Sequence, residues 1–213
     1  MKLRARRVLI TAGPTWAPID SVRFIGNIAS GETGIMLARE LARRGAAVTL
    51  VLGPGVCARG RLANVTIMRF TFFRELCRIL ETEVSSGRYD CVVHAAAVCD
   101  YLPGRIWHGK IVSAKTRYLK LVPAPKLIDS IRKWDPAVLL IGFKFEPDAD
   151  RSTLLREAQG LMRRSGAKAV LANTLKAGSY RAYLVEQSGA INKPLIGKPA
   201  TARALAAFIA SYA

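Results

Sequence analysis

Val8-Leu9-Ile10-Thr11-Ala12-Gly13-Pro14-Thr15 is a short apolar, β-branched run that stops at a Gly-Pro turn, and the segments on either side of that turn set the architecture. The run predicts a buried strand over residues 8–11, because such side chains suit a pleated surface and Gly-Pro ends one. A polar connection leads to Ser30-Gly31, where a helical repeat begins and continues to about Arg44. Leu37, Leu41 and neighbouring alanines supply its buried face. Gly45 closes that helix, and residues 47–52 read as the next strand. Strand, loop, helix and strand make the repeating unit of a parallel sheet.

The pattern repeats downstream. Residues 65–70 predict a third strand, and Thr71 can cap a helix carrying Phe72, Phe73, Leu76, Cys77 and Leu80 on one side. Residues 91–97 predict a buried strand. From 101 to 125 there is no long helical pattern. Two short extended pieces, near 110–112 and 118–122, predict a projecting flap or hairpin. Residues 138–143 and 169–172 are strands, the second ending in Asn173, and Leu154, Leu155, Ala158, Leu161 and Met162 lie between them at helical spacing. A hairpin over 181–185 with a Ser188-Gly189 turn, then a helix over about 201–212, complete the chain. The expected fold is α/β: a Rossmann-like three-layer sandwich with a mostly parallel central sheet and a projecting flap. Residues 1–213 read as one domain, a usual size for a single core.

Net charge is +18, from 33 Lys and Arg against 15 Asp and Glu. That balance favours anionic partners. The basic residues are scattered over 2–7, 39–44, 59–61, 105–120 and 163–168 and form no single aromatic-interleaved stripe. Phosphorylated small molecules therefore suit the charge better than nucleic acid. No apolar run reaches the roughly 20 residues of a membrane helix, and the basic start leads into a strand, so the expected location is the cytoplasm. Cys57, Cys77, Cys91 and Cys99 have no Cys-x-x-Cys spacing and no paired histidines, which argues against a metal site or a disulfide framework. His94 and His108 are isolated, and Asp20 and Asp100 have no spacing typical of a glycosidase pair.

In open α/β sheets ligands gather beyond the carboxyl ends of the strands. Those ends fall here at 11–15, 95–101, 143–146 and 172–174. Ser30-Gly31-Glu32-Thr33-Gly34 opens a helix, and its exposed N–H groups and positive dipole end can receive a phosphate. Neither Gly-x-Gly-x-x-Gly nor Gly-x-x-x-x-Gly-Lys-Ser/Thr is present. The residues alone predict a nucleotide or phosphate binder.

Four motifs in order go further. They are Ile10-Thr11-Ala12-Gly13-Pro14-Thr15 with Pro18-Ile19-Asp20-Ser21-Val22-Arg23-Phe24-Ile25-Gly26-Asn27, Ser30-Gly31 and Gly34; Ala96-Ala97-Val98-Cys99-Asp100-Tyr101; Lys110-Ile111 with Leu119-Lys120-Leu121-Val122 and Pro125; and Gly142-Phe143 with Ala172-Asn173. The set resembles phosphopantothenoylcysteine synthetases over nearly the whole length.

The resemblance implies a ligase of coenzyme A biosynthesis. In such an enzyme the carboxylate of 4′-phosphopantothenate attacks the α-phosphate of CTP or ATP, and cysteine then displaces the nucleoside monophosphate. It implies that Asn27 orients the acyl-nucleotide, that Arg23 supports that segment, and that Lys110 on the flap counters phosphate charge. Ala96, Ala97 and Asp100 line the substrate pocket. Gly13, Ser30, Gly31, Gly34, Asp100, Lys110, Pro125, Lys126, Leu127, Ile128, Phe143 and Asn173 meet the nucleotide. It also implies Mg2+ on the triphosphate, a homodimer with flaps near the active sites, and a free-standing synthetase without an upstream decarboxylase. The sequence departs from the family pattern at Leu161 and Ser165, where many bacterial members carry lysines. It departs also at Ala29, where a second serine is common, and at Glu32, where a basic residue is usual. A diverged nucleotide-binding protein without catalysis is the alternative reading.

Overall fold

A computed structural model describes residue 3 and residues 5–58 and 62–212. Of the basic groups above, Lys2, Arg4, Arg59 and Arg61 lie outside the described residues. The elements are β1 (Arg7–Ala12), β2 (Trp16–Pro18), β3 (Phe24–Gly26), α1 (Glu32–Arg43), β4 (Ala47–Leu52), β5 (Val65–Arg69), α2 (Phe73–Ser85), β6 (Cys91–His94), β7 (Tyr101–Pro103), β8 (Leu121–Pro123), α3 (Leu127–Trp134), β9 (Leu139–Phe145), α4 (Arg151–Ser165), β10 (Ala169–Lys176), β11 (Ser179–Glu186), β12 (Leu195–Ile196) and α5 (Lys198–Ser211).

The main sheet runs β12-β11-β10-β9-β6-β1-β4-β5. The strands from β5 to β10 are parallel, and β11 and β12 each pair antiparallel to the strand before. Numbered along the chain, the parallel set reads 3-2-1-4-5-6, the order of doubly wound nucleotide-binding sheets. The three-layer expectation holds. Leu37, Leu41, Leu205 and Phe208 from α1 and α5 cover one face with Val8, Ile10 and Leu50. Leu76, Leu80, Ile131, Leu154 and Leu161 from α2, α3 and α4 cover the other with Leu9, Val92 and Leu140. Each such side chain, fully buried, contributes about 1.5–3 kcal/mol.

Several local expectations are corrected. The polar connection contains the β2–β3 hairpin, with Trp16 stacked on Phe24 at 3.8 Å. α1 begins at Glu32 because Gly31 turns left-handed, φ 66°. β6 ends at His94, although residues 95–97 continue to bond beside 13–15. Thr71 does not cap α2. The Glu75 carboxylate accepts from the Thr71 N–H at 2.7 Å and the Phe72 N–H at 3.2 Å. Residues 125 and 126 lead into α3, a helix the sequence pattern did not predict. The flap is a hairpin rooted by β7 and β8, with Tyr101 opposite Pro123, and residues 110–112 are irregular. β10 extends to Lys176 and joins β11 through left-handed Ala177 and Gly178. No helix among the described residues is long and apolar enough to cross a membrane.

Candidate active site

β1 and β6 are adjacent, but α1 after β1 and α3 after β6 pack on opposite faces, the switch point where doubly wound sheets bind their ligands in the crevice beyond the carboxyl ends. The two departing loops stay joined. The Ala97 N–H donates to the Gly13 carbonyl at 2.9 Å, and the Thr15 N–H to the Ala97 carbonyl at 3.1 Å. Two buried threonines fix them further. Thr11 Oγ1 accepts from the Ala96 N–H at 3.1 Å and lies 3.0 Å from His94 Nδ1. Thr15 Oγ1 accepts from the Cys99 N–H at 2.9 Å, and the Cys99 thiol donates to the Thr15 carbonyl. Burial holds His94 down to about 4, so its ring is neutral near pH 7.

Asn27 follows β3 and reaches this platform. Its Nδ2 donates to the Val98 carbonyl at 3.0 Å. That bond orients the carboxamide between Ala97 and Asp100. Asp100 is exposed and ion-paired with Lys126, the residue that precedes α3, and its carbonyl accepts from the Ala124 N–H at 2.8 Å. Asn27, Ala97, Asp100, Pro125 and Lys126 therefore sit along one rim. Leu127 and Ile128 point into the core, so only their backbone is available to a ligand.

On the other side of β1, Gly31 leaves the start of α1 without a side-chain cap. Ser30 Oγ is exposed and 3.4 Å from the Glu32 N–H. A Cβ on Gly31 would lie 3.1 Å from Gly13 N, and one on Gly13 would lie 2.8 Å from Val56. Glycine is therefore required at both places by chain-on-chain packing. Glu32, the departure in the first turn, is ion-paired with Lys198 at the start of α5, which offsets its charge there. Ala29 is partly buried and brings no hydroxyl.

Phe143 is half-buried in β9, one position beyond the Gly142–His94–Thr11 row. Asn173 is buried in β10, and its Oδ1 has no hydrogen-bond partner among the described residues. A buried acceptor left open in this way is ready for a donor from outside the chain. Leu161 and Ser165 are both buried, the latter donating to the Leu161 carbonyl at 2.7 Å, so neither position presents a side chain to solvent.

Arg23 and Lys110 lie elsewhere. The β2–β3 pairing puts Asn27 at the hairpin base and residues 19–23 at its tip, about 13 Å away at strand rise. Arg23 Nη1 donates to Asp20 Oδ2 at 2.7 Å and to the Ile111 carbonyl at 3.2 Å. Lys110 is exposed beside it. Residues 104–120 carry Arg105, Lys110, Lys115, Arg117 and Lys120 and no carboxylate. The platform threonines and Asp20 stand in the quoted motifs, but the sequence reading gave them no role. A polar residue inside a buried strand, as Thr11 is, was the available signal for the first of them.

Residues 3–212 match the family model described as the DNA/pantothenate metabolism flavoprotein C-terminal domain. The chain belongs to that family. The motif-based resemblance is upheld at this level. Within the DNA/pantothenate metabolism flavoprotein family, the coenzyme A biosynthesis bifunctional protein CoaBC of Thermococcus kodakarensis is 37% identical over 175 residues. That match takes in 82% of this chain and 43% of the relative, so the chain spans less than half of its length. The DNA/pantothenate metabolism flavoprotein of Streptococcus pneumoniae superposes with a TM-score of 0.88 at 25% identity, over 98% of this chain and 100% of that one. The C-terminal domain of a CoaBC gives 0.81 at 26%, over 99% and 96%.

Proposed function

We propose that the chain is a phosphopantothenate–cysteine ligase of coenzyme A biosynthesis, driven by CTP or ATP. The observation that carries this reading is the Asn27 carboxamide, fixed by the Val98 carbonyl on a rim with Ala96, Ala97, Asp100 and Lys126. It stands in a family whose relatives are named for coenzyme A biosynthesis.

In the first step a carboxylate oxygen of 4′-phosphopantothenate bonds to the α-phosphorus, and the bond to pyrophosphate breaks. Two anions must be brought together, so positioning and positive charge do the work, with no protein nucleophile. Asn27 orients the carboxylate and the mixed anhydride. The open end of α1 at Ser30, Gly31 and Gly34, with Lys126, receives phosphate, and Phe143 and Asn173 shape the far end of the nucleotide site. Mg2+ enters with the nucleotide as part of the substrate, held mostly by phosphate oxygens and water. In the second step the cysteine amine attacks the acyl carbon, the nucleoside monophosphate leaves, and the amine loses its proton to solvent.

Lys110 of the same chain precedes Ile111, which is bonded to Asp20 and Arg23 at the hairpin tip, about 13 Å at strand rise from Asn27. A second copy that brings its flap over the rim would complete the site. Seven of the fourteen exposed large apolar side chains among the described residues lie on this hairpin and flap, including Val22, Phe24, Val112 and Tyr118. That concentration favours a homodimer through these segments.

Incubation with 4′-phosphopantothenate, cysteine, Mg2+ and either CTP or ATP should release pyrophosphate and the matching monophosphate, and the two nucleotides compared give the preference. Asn27→Asp should lower turnover by about 100-fold or more with the thermal midpoint unchanged, since a like charge then faces the anhydride. Nucleotide binding without pyrophosphate from either nucleotide would instead identify a diverged binding protein, the reading favoured by the buried Leu161 and Ser165.

A further inference from the structure

We propose that Asp20 is the positioning residue of the flap: a buried carboxylate that ties the flap segment beside Lys110 to the β2–β3 hairpin. The proposal rests on the ligase reading only for its catalytic consequence; the tie itself is a matter of geometry.

The Asp20 side chain is fully enclosed, and both of its oxygens are filled by donors. Oδ1 accepts from the Val22 N–H at 2.8 Å and the Arg23 N–H at 2.7 Å. Oδ2 accepts from Arg23 Nη1 at 2.7 Å and the Ile111 N–H at 3.0 Å. Ile111 is held at its other end too, because Arg23 Nη1 also donates to its carbonyl. Two further bonds run alongside, from the Ser21 N–H to the Gly109 carbonyl and from the Trp107 N–H to the Ile19 carbonyl. Residues 107–111 are thereby fastened to residues 19–23, and both neighbours of Lys110 are fixed while its ammonium stays in solvent.

The rest of the flap between β7 and β8 has no regular structure to hold it. Backbone N–H donors, Ile111 first, with Arg23 alongside, hold the Asp20 carboxyl down to about 2 despite its enclosure. It is charged at any pH at which a metabolic enzyme works. The same bonds change the reading of Arg23. Its guanidinium is taken up by Asp20 and Ile111 and is not aimed at the crevice, so it acts on Lys110 through the tie.

Asp20→Asn is the sharpest test. Each carboxylate oxygen faces two donors, so the amide NH2 meets a donor pair in either orientation. The flap carries Arg105, Lys110, Lys115, Arg117 and Lys120, which makes trypsin a direct probe of its freedom. In native protein at neutral pH, Asp20→Asn should be cut between residues 105 and 120 at least about 10-fold faster than the parent, since cleavage follows the open population. Cleavage elsewhere and the thermal midpoint should stay close to the parent values.

Arg23→Met, which keeps the stem and loses the guanidinium, should loosen the same segment to a smaller degree. In the ligase assay both variants should show a raised KM for the nucleotide together with a lowered kcat, the signature of a mis-hinged closing element. A folded Asp20→Asn protein whose flap is cut at the parent rate overturns the proposal. If that variant does not fold, parent-rate flap cleavage in Arg23→Met overturns it. Faster flap cleavage in a protein that releases no pyrophosphate would leave the tie standing and remove the ligase reading alone.

Discussion

Asn27 and Arg23 come from one ten-residue motif, yet the structure gives them different neighbours. The carboxamide leans on the Val98 carbonyl at the crevice, whereas the guanidinium closes on Asp20 about four residues further out. Sequence spacing cannot separate such roles, because a hairpin folds residues four apart to opposite ends of itself. His94 is a different case. Its isolation in the sequence suits a structural or a surface histidine, and its buried ring against Thr11 makes it the structural one. The pH consequence has a definite sign. Burial holds the folded His94 at about 4 against 6.5 for a free ring, so between those values only the unfolded chain takes up the proton. Stability therefore falls as pH drops from 6.5 toward 4 and this contribution levels off below, by up to about 3 kcal/mol in all. Urea titrations across that window should show the slope in the parent and a flatter profile in His94→Gln. An unchanged slope in the variant would assign the pH dependence to other groups.

At the scale of elements, the closeness of α1 to β1 has the strictest requirement. A Cβ on Gly34 would lie 2.5 Å from the Ala12 Cβ, so the helix rests directly on the strand that opens the crevice. Overpacking of this kind costs about 1–3 kcal/mol, while the better helix propensity of alanine returns about 1 kcal/mol. Gly34→Ala should thus lose up to about 2 kcal/mol net, a fall of up to roughly 8 °C in a chain of this size by differential scanning calorimetry. Adding Ala12→Gly should recover most of it. Failure of that second change to restore the midpoint would mean the strain lies in another contact. The parallel strands and α1, α2, α4 and α5 were legible in the sequence because each has a strong period of its own. The β2–β3 hairpin was not, since three-residue strands leave no alternation to read and its stability comes from Trp16 stacking on Phe24. α3 was missed for a related reason. It is eight residues long and starts directly after Pro125-Lys126, with only Leu127, Ile128 and Ile131 to mark a buried face. The candidate site was legible as a set of motifs, whereas Thr11, Thr15 and Asp20 gain meaning only once distant segments meet.

Taken as a whole molecule, the chain concentrates two unusual features in one place. The flap has five cations and no carboxylate over residues 104–120, and together with the β2–β3 hairpin it holds half of the exposed large apolar side chains among the described residues. In the proposed homodimer, this apolar surface would drive two copies together without direction, and flap cations over the proposed nucleotide site would favour the arrangement that puts one copy's flap above the other's rim. In a two-fold dimer each site would then draw Asn27 from one chain and Lys110 from its partner. This makes a quantitative prediction. Asn27→Asp and Lys110→Gln proteins should each be nearly inactive alone. Mixed in equal amounts and allowed to exchange subunits, half of the dimers are hybrids, and each hybrid carries one site with both natural residues and one with neither. Pyrophosphate release should therefore return to about a quarter of the parent value, with sedimentation showing dimers throughout. If Lys110 served its own chain instead, every site in every mixture would lack one of the two groups, and mixing would restore nothing.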